Sequence, residues 1–171
     1  MSSPENLNLL SSQTFRFSFE RLPNVNFFCN TAEIPEISLG QLSIPTPFVT
    51  IPKPGDKLSF RPLTLSFRVD EDMRNYKEVY DWMVGLGHPE SLEQRINPVT
   101  RLQSGKATEV SDASLFIMSS NYRANIEVKF FDIFPVMLGG LTFATDRTDV
   151  EYLSCTSVFV YSRYELSIVQ K

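Results

Sequence analysis

Six prolines crowd into residues 32–62: Pro35, Pro45, Pro47, Pro52, Pro54 and Pro62. Proline has no backbone N–H and clashes with a preceding helical turn, so this stretch is neither a helix nor a central strand. It leaves two short extended pieces, Ile37–Ile44 and Phe48–Ile51, and Pro54-Gly55-Asp56 reads as a turn, assigned to Gly55 and Asp56. A connection this long is rare in a compact domain unless it has a task. We read residues 40–60 as an extended arm or protruding hairpin. Leu42, Ile44, Phe48, Val49 and Ile51 give the arm an apolar surface that the local chain does not cover, and such a patch marks an interaction site. These five residues are therefore assigned to a contact with another copy of the chain.

The flanking sequence reads as strands. In Thr14–Glu20 phenylalanine recurs at every second place, and in Leu63–Val69 apolar residues hold the odd numbers, each pattern marking a strand with one buried face. Leu22-Pro23-Asn24 reads as a turn and Val25–Thr31 as a returning strand. Ala113–Met118 and Ile126–Phe131 form two more strands around a turn at 120–125. Phe134-Pro135 and Gly139-Gly140 break the chain, Leu141–Phe143 is a short extended piece, and 150–164 is a long final strand. One helix is predicted over about 72–85, from Met73, Tyr76, Val79, Tyr80 and Met83 on one face with Trp82 beside it. Gly85 and Gly87 stop it, and Asp72 or Asp70 caps it, with Asp72 assigned as the N-cap. The polar start, 1–12, reads as a flexible terminus, and 13–171 as one domain. The fold class is mainly β: an antiparallel sandwich or barrel with one packed helix and a long arm.

Composition excludes several functions. Sixteen Lys and Arg against twenty Asp and Glu give a net charge of −4, without the basic footprint of a nucleic-acid binder. No apolar run is long enough to cross a bilayer, and MSSPENLNLLSS lacks the basic and apolar blocks of a secretory leader. Cys29 and Cys155, far apart in sequence, read as buried thiols of a reducing compartment.

No reaction centre emerges from the remaining residues. Asp70-Glu71-Asp72 lacks the spacing of a calcium loop and suits a helix start better than a metal. His88 stands in a Gly-Pro loop with no local signature linking it to either cysteine. Gly85-Leu86-Gly87 follows a helix, whereas phosphate-cradling glycines precede one. No cofactor is assigned, and the residues point to a non-enzymatic structural protein.

Three stretches in this order carry a family resemblance. They are FRFSFERLPNVNFFCNTAEIP (15–35), IPTPFVTIPKPGDKLSFRPLTLSFRVDED (44–72) and the tail from VKFFDIFPVMLGGL to SRYEL (128–166). Together they resemble the tail-tube proteins of contractile-tailed bacteriophages, with their tube-initiator and baseplate relatives, and are similar to the tube protein of type VI secretion. That resemblance implies a hexameric ring in which each subunit lends strands to an inter-subunit β-barrel. Rings stack into a virion tail tube whose bore passes double-stranded DNA without specific binding. Implied partners are further copies and other tail proteins such as sheath, baseplate or terminator, with assembly in the host cytoplasm and no membrane insertion. Thr64, Ser66 and Arg68, on the polar side of their strand, are the candidates for lining the bore. Two other readings stand beside this one. One is a baseplate or neck initiator or adaptor of the same fold, and the other a monomeric β-sandwich module binding sugar or peptide.

Overall fold

The computed structural model describes residues 9–87, 109–119, 123–145 and 152–169. His88 lies outside them, as do most of 1–12, the loop after the long helix and part of the 120–125 turn.

The alternation that begins at Ala124 does not stop at Phe131: Ala124–Leu138 form one strand, β7. The end of the chain runs antiparallel along its whole length. β8 (Ser154–Val160) pairs Phe134 with Val160 and Leu138 with Ser157, and β9 (Arg163–Ile168) pairs Phe131 with Arg163 and Ile126 with Ile168. In place of one strand over 150–164 there are two, separated at Tyr161-Ser162; the first begins only at Ser154 and the second runs on to Ile168. Pro135, expected to interrupt the chain, lies inside β7, where the C-terminal half has only β8 beside it and one missing N–H is harmless. Leu141–Phe143 form no strand.

This long ribbon folds at a corner. Asp132 takes φ 55°, a left-handed backbone that Asp tolerates better than bulkier residues, inside a register shift of β7 against β6 (Ser111–Met118). Its N–H donates to Asp112 Oδ1 at 3.3 Å, and its carboxylate accepts from Ser162 Oγ at 3.0 Å. On one side of the corner the strand order is β1 (Phe15–Phe19), β6, β7, β9. On the other it is β2 (Cys29–Ala32), β5 (Leu63–Arg68), β8, β7. Phe17, Phe19, Leu115, Val128 and Phe130 from the first set and Leu63, Leu65, Phe67 and Phe159 from the second are all buried in one core. Phe19 and Phe159 stack across it with centroids 5.0 Å apart. The fold is mainly antiparallel β, and the sheet does not close on itself within one chain.

Two segments differ from expectation. Pro23–Phe28, read as a turn and the start of a strand, is a short helix, α1. Proline's fixed φ suits the first helical turn. Asn26 then does what a strand neighbour would do for the end of β1: its Oδ1 accepts from Phe19 N at 2.6 Å and its Nδ2 donates to Phe19 O at 2.9 Å. The returning strand shrinks to β2.

The long helix, α2, spans Arg74–Gly87 rather than 72–85; of the expected face Val79 is buried with the neighbouring Trp82, Tyr76 and Met83 are partly buried against the core, and Asn75 takes the fully buried place expected of Met73 and Tyr80. Tyr80 faces out, 54% exposed. The exchange follows from hydrogen bonds that an apolar side chain there could not make. Buried Asn75 donates to Arg68 O at 2.7 Å and accepts from Asp70 N at 3.4 Å, tying the helix to the end of β5. Trp82 Nε1 donates to Glu109 O at 3.2 Å, under the Arg21 guanidinium, 4.8 Å from the ring. Of the two capping candidates it is Asp70, not the assigned Asp72, that meets the helix start. Asp70 accepts the Asn75 N–H at 3.3 Å, whereas Asp72 is held 3.0 Å from Arg74.

Candidate assembly interface

β3 (Ile37–Pro45) and β4 (Thr50–Phe60) pair only with each other and form a two-stranded ribbon apart from the main sheet. The ribbon turns at Thr46–Val49, where Thr46 N donates to Val49 O at 3.1 Å and the Thr46 hydroxyl also bonds Val49 O. Register explains how a strand holds so much proline. Antiparallel pairs alternate between bonded and non-bonded. Counting from the bonded 46–49 pair, Ile44–Ile51 and Leu42–Lys53 are bonded, and Pro45–Thr50, Ser43–Pro52 and Gln41–Pro54 are not. All three prolines occupy positions from which the partner strand asks no donor.

The same register sorts the side chains, because directly opposed residues share a face. Leu42, Ile44, Val49 and Ile51 lie together on one face, with Lys53 opposite Leu42 at its inner end; Gln41, Ser43, Thr50 and the three prolines lie on the other. Phe48 stands at the tip, 98% exposed. The structure thus gathers four of the five arm residues into one apolar face and sets the fifth at its end.

Gly55 and Asp56, expected in a turn, lie instead within β4, in a bulge where residues 55–57 stand opposite Gly40 alone. Glycine is required there, since a Cβ on Gly55 would meet Gly40 O at 2.6 Å. Below the bulge the apolar residues change parity: Ile37, Leu39, Leu58 and Phe60 share the opposite face.

The root of the ribbon is clamped by residues that sequence reasoning did not single out. The Tyr161 hydroxyl donates to Arg61 O at 2.8 Å and the Tyr164 hydroxyl to Pro35 O at 3.4 Å. Phe60 packs on both rings, at 6.1 and 5.4 Å, and Phe130 backs the pair from the core. Arg61 and Glu36 close the base with an ion pair at 2.9 Å. Burial, with Tyr164 adding to it, pushes the Tyr161 phenol up to about 12, so the hydroxyl remains a donor at any ordinary pH. The available signal was the three-residue spacing of Tyr161 and Tyr164, which breaks strand alternation where the ribbon needs an anchor.

The remaining assigned residues lie elsewhere. Thr64, Ser66 and Arg68 are on the outward face of β5, opposite the buried Leu63, Leu65 and Phe67. Register continues them into Val158, Thr156 and Ser154 of β8, a largely hydroxyl-bearing surface, and Arg68 lies 5.8 Å from the Tyr152 ring. Cys155 is buried and Cys29 half-buried, both as free thiols. The unpaired edge of β9 carries Leu166 and Ile168, both exposed.

An exposed apolar ribbon and open strand edges are features of a subunit, and comparison with known families agrees. The model of the family described as phage tail tube protein matches residues 3–167. The chain belongs to the phage tail tube protein family. Curated protein sequences give no significant match. Among solved structures, this tail tube protein is similar in fold to a chain of the tube-terminating cap of the anti-feeding prophage (TM-score 0.61, 10% identity, 98% of this chain and 97% of that one). It is similar to a chain of the PVC sheath–tube complex of an extracellular contractile injection system (0.59, 12%, 95% and 94%). It is likewise similar to a chain of the anti-feeding prophage baseplate (0.57, 13%, 100% of both). The family match and the fold likeness both span nearly the whole chain.

Proposed function

We propose that this tail tube protein is the repeating subunit of a phage tail tube, six copies closing a ring and rings stacking into a conduit for double-stranded DNA. The observation that carries this reading is the ribbon, a projection whose apolar face stays exposed among the described residues. The face gains its contacts when another copy lies against it, and closure of a ring gives the free edges of β9, β2 and the end of β7 partners.

Charge supports transport rather than binding. Six copies at −4 give −24 per ring. Duplex DNA carries one negative charge per about 1.7 Å of axis, so an acidic or polar bore lets it slide where a basic one would hold it. Thr64, Ser66 and Arg68 remain candidates for that surface. Sheath, baseplate and terminator proteins are the partners, in a virion tail assembled in the host cytoplasm.

Cap, tube and baseplate chains are alike in their similarity to this one, which favours a second reading: a single-ring initiator or adaptor. Purified protein examined by sedimentation and negative-stain microscopy separates the two. Stacked rings are expected. Single rings that never stack would assign the adaptor role, and a stable monomer at high concentration would overturn both readings.

A further inference from the structure

We infer that the ribbon tip has a specific receptor on another copy: the groove where β5 hands over to α2. The inference rests on the ring-and-stack reading above and names the contact that reading leaves open. The groove encloses about 640 Å³, and Phe28, Val69, Met73 and Leu153 form its apolar floor. That volume lies within the range, about 300–1,000 Å³, of clefts that take drug-sized ligands, so the open groove has room for a phenylalanine ring together with the turn residues beside it. Phe143 and Tyr152 stand at its mouth, 72% and 75% exposed, so an aromatic insert would meet aromatic walls on entry.

The insert is Phe48. It is the most exposed large apolar side chain among the described residues, it sits at the tip of the ribbon, and prolines restrict the chain around it at 45 and 47 before it and at 52 across the turn. Its exposure means that it does not reach the groove of its own chain. Charge selects the same pairing. Lys53 is the sole charged residue from 41 to 54, so the outer ribbon is +1. Arg68, Asp70 and Glu71 are the charged lining of the groove, net −1 against the +1 of the outer ribbon; Arg68 lies against Tyr152, and Glu71 forms no ion pair among the described residues. A knob on one surface and a socket on a different surface of the same chain make a head-to-tail contact, which propagates or closes as assembly requires.

Cysteine pairing tests this directly. The variant Phe48→Cys/Tyr152→Cys, assembled and then oxidised with diamide, is expected to give a disulfide between copies linking 48 to 152, identified by peptide mass spectrometry. Neither single variant forms it. Phe48→Cys/Phe143→Cys is the second pair, and both groove positions are exposed, so folding is spared. Phe48→Ala is expected to raise the protein concentration needed for assembly at least tenfold, and Phe48→Tyr to restore it to within about threefold of the parent. Tubes or rings that form without any link from 48 to the groove overturn this contact and leave the ring reading standing. Failure of the unmodified protein to assemble overturns the ring reading and this contact with it.

Discussion

Deleting residues 41–54 joins Gly40 to Gly55, and Gly40-Gly55-Asp56-Lys57 then closes the ribbon at its Leu39–Leu58 pair. The root, with Tyr161, Tyr164 and Phe60, is untouched. Leu42, Ile44, Val49 and Ile51 are 63, 41, 62 and 45% exposed in the single chain. Full burial of one such side chain contributes about 1.5–3 kcal/mol, so covering the exposed share of the four contributes about 3–6 kcal/mol, and Phe48 adds about 1.5–3. At 1.4 kcal/mol per decade, about 5–9 kcal/mol per ribbon corresponds to roughly three to six orders of magnitude in the affinity between copies. The monomer itself should scarcely respond. Every deleted residue but Thr46 is exposed, so its stability should move by no more than about 0.5 kcal/mol, a Tm change of about 1–2 °C. Sedimentation and negative-stain microscopy should find a folded monomer where the parent polymerises, with an unchanged far-UV spectrum. Tubes that still form at the parent's concentration would refute the assembly role, and a chain that fails to fold would show the ribbon to be part of its own core.

Three further outcomes follow from individual contacts. Tyr161→Phe removes the bond to Arg61 O and should lower stability by about 0.5–1.5 kcal/mol, with amide exchange quickening at 36–39 and 58–61 more than in the core. Gly55→Ala, whose Cβ would lie 2.6 Å from Gly40 O, should weaken assembly, whereas Gly40→Ala, whose Cβ meets only Lys57 O at 3.5 Å, should not; equal behaviour in the assembly assay would refute the bulge argument. Burial pushes the Cys29 thiol up to about 11, so the folded state keeps a proton that the unfolded chain releases near its ordinary value. Stability contributed by this group is therefore lost as pH rises from about 8.5 towards 11, and alkylation of Cys29 at pH 8 should be about 100-fold slower in the folded protein than in urea.

What could be read in the sequence depended on whether one element or several determined the outcome. Leu63–Arg68 has a side-chain period of two that burial on one face enforces, and it lies within a residue of its expected bounds. The apolar arm was legible for the opposite reason, since proline density excludes most alternatives. Errors arose where a polar side chain replaced a backbone partner. Asn26 bonding both backbone groups of Phe19 turned an expected strand into α1, and Asn75 reaching Arg68 O took the buried place on α2 expected of an apolar residue. Neither bond has a periodic trace. Gly55-Asp56 has the composition of a turn, but whether such a pair makes a turn or a bulge depends on Gly40, fifteen residues earlier. The tyrosine clamp was hidden because it joins residues about a hundred positions apart.

The proline register has a consequence for how free subunits behave before they assemble. Groups not bonded across the ribbon point away from it, so beyond the bulge the outer border of β4 would offer N–H donors at 50, 52 and 54, and two of these are proline. A stray extended peptide approaching that border finds a single donor, at Thr50. Amyloid-like zipping needs an unbroken row of them, and this border lacks it. On the β4 side the oily finger is therefore open to recruitment through side-chain fit rather than through backbone pairing, whereas the β3 side keeps its donors at Gln41 and Ser43.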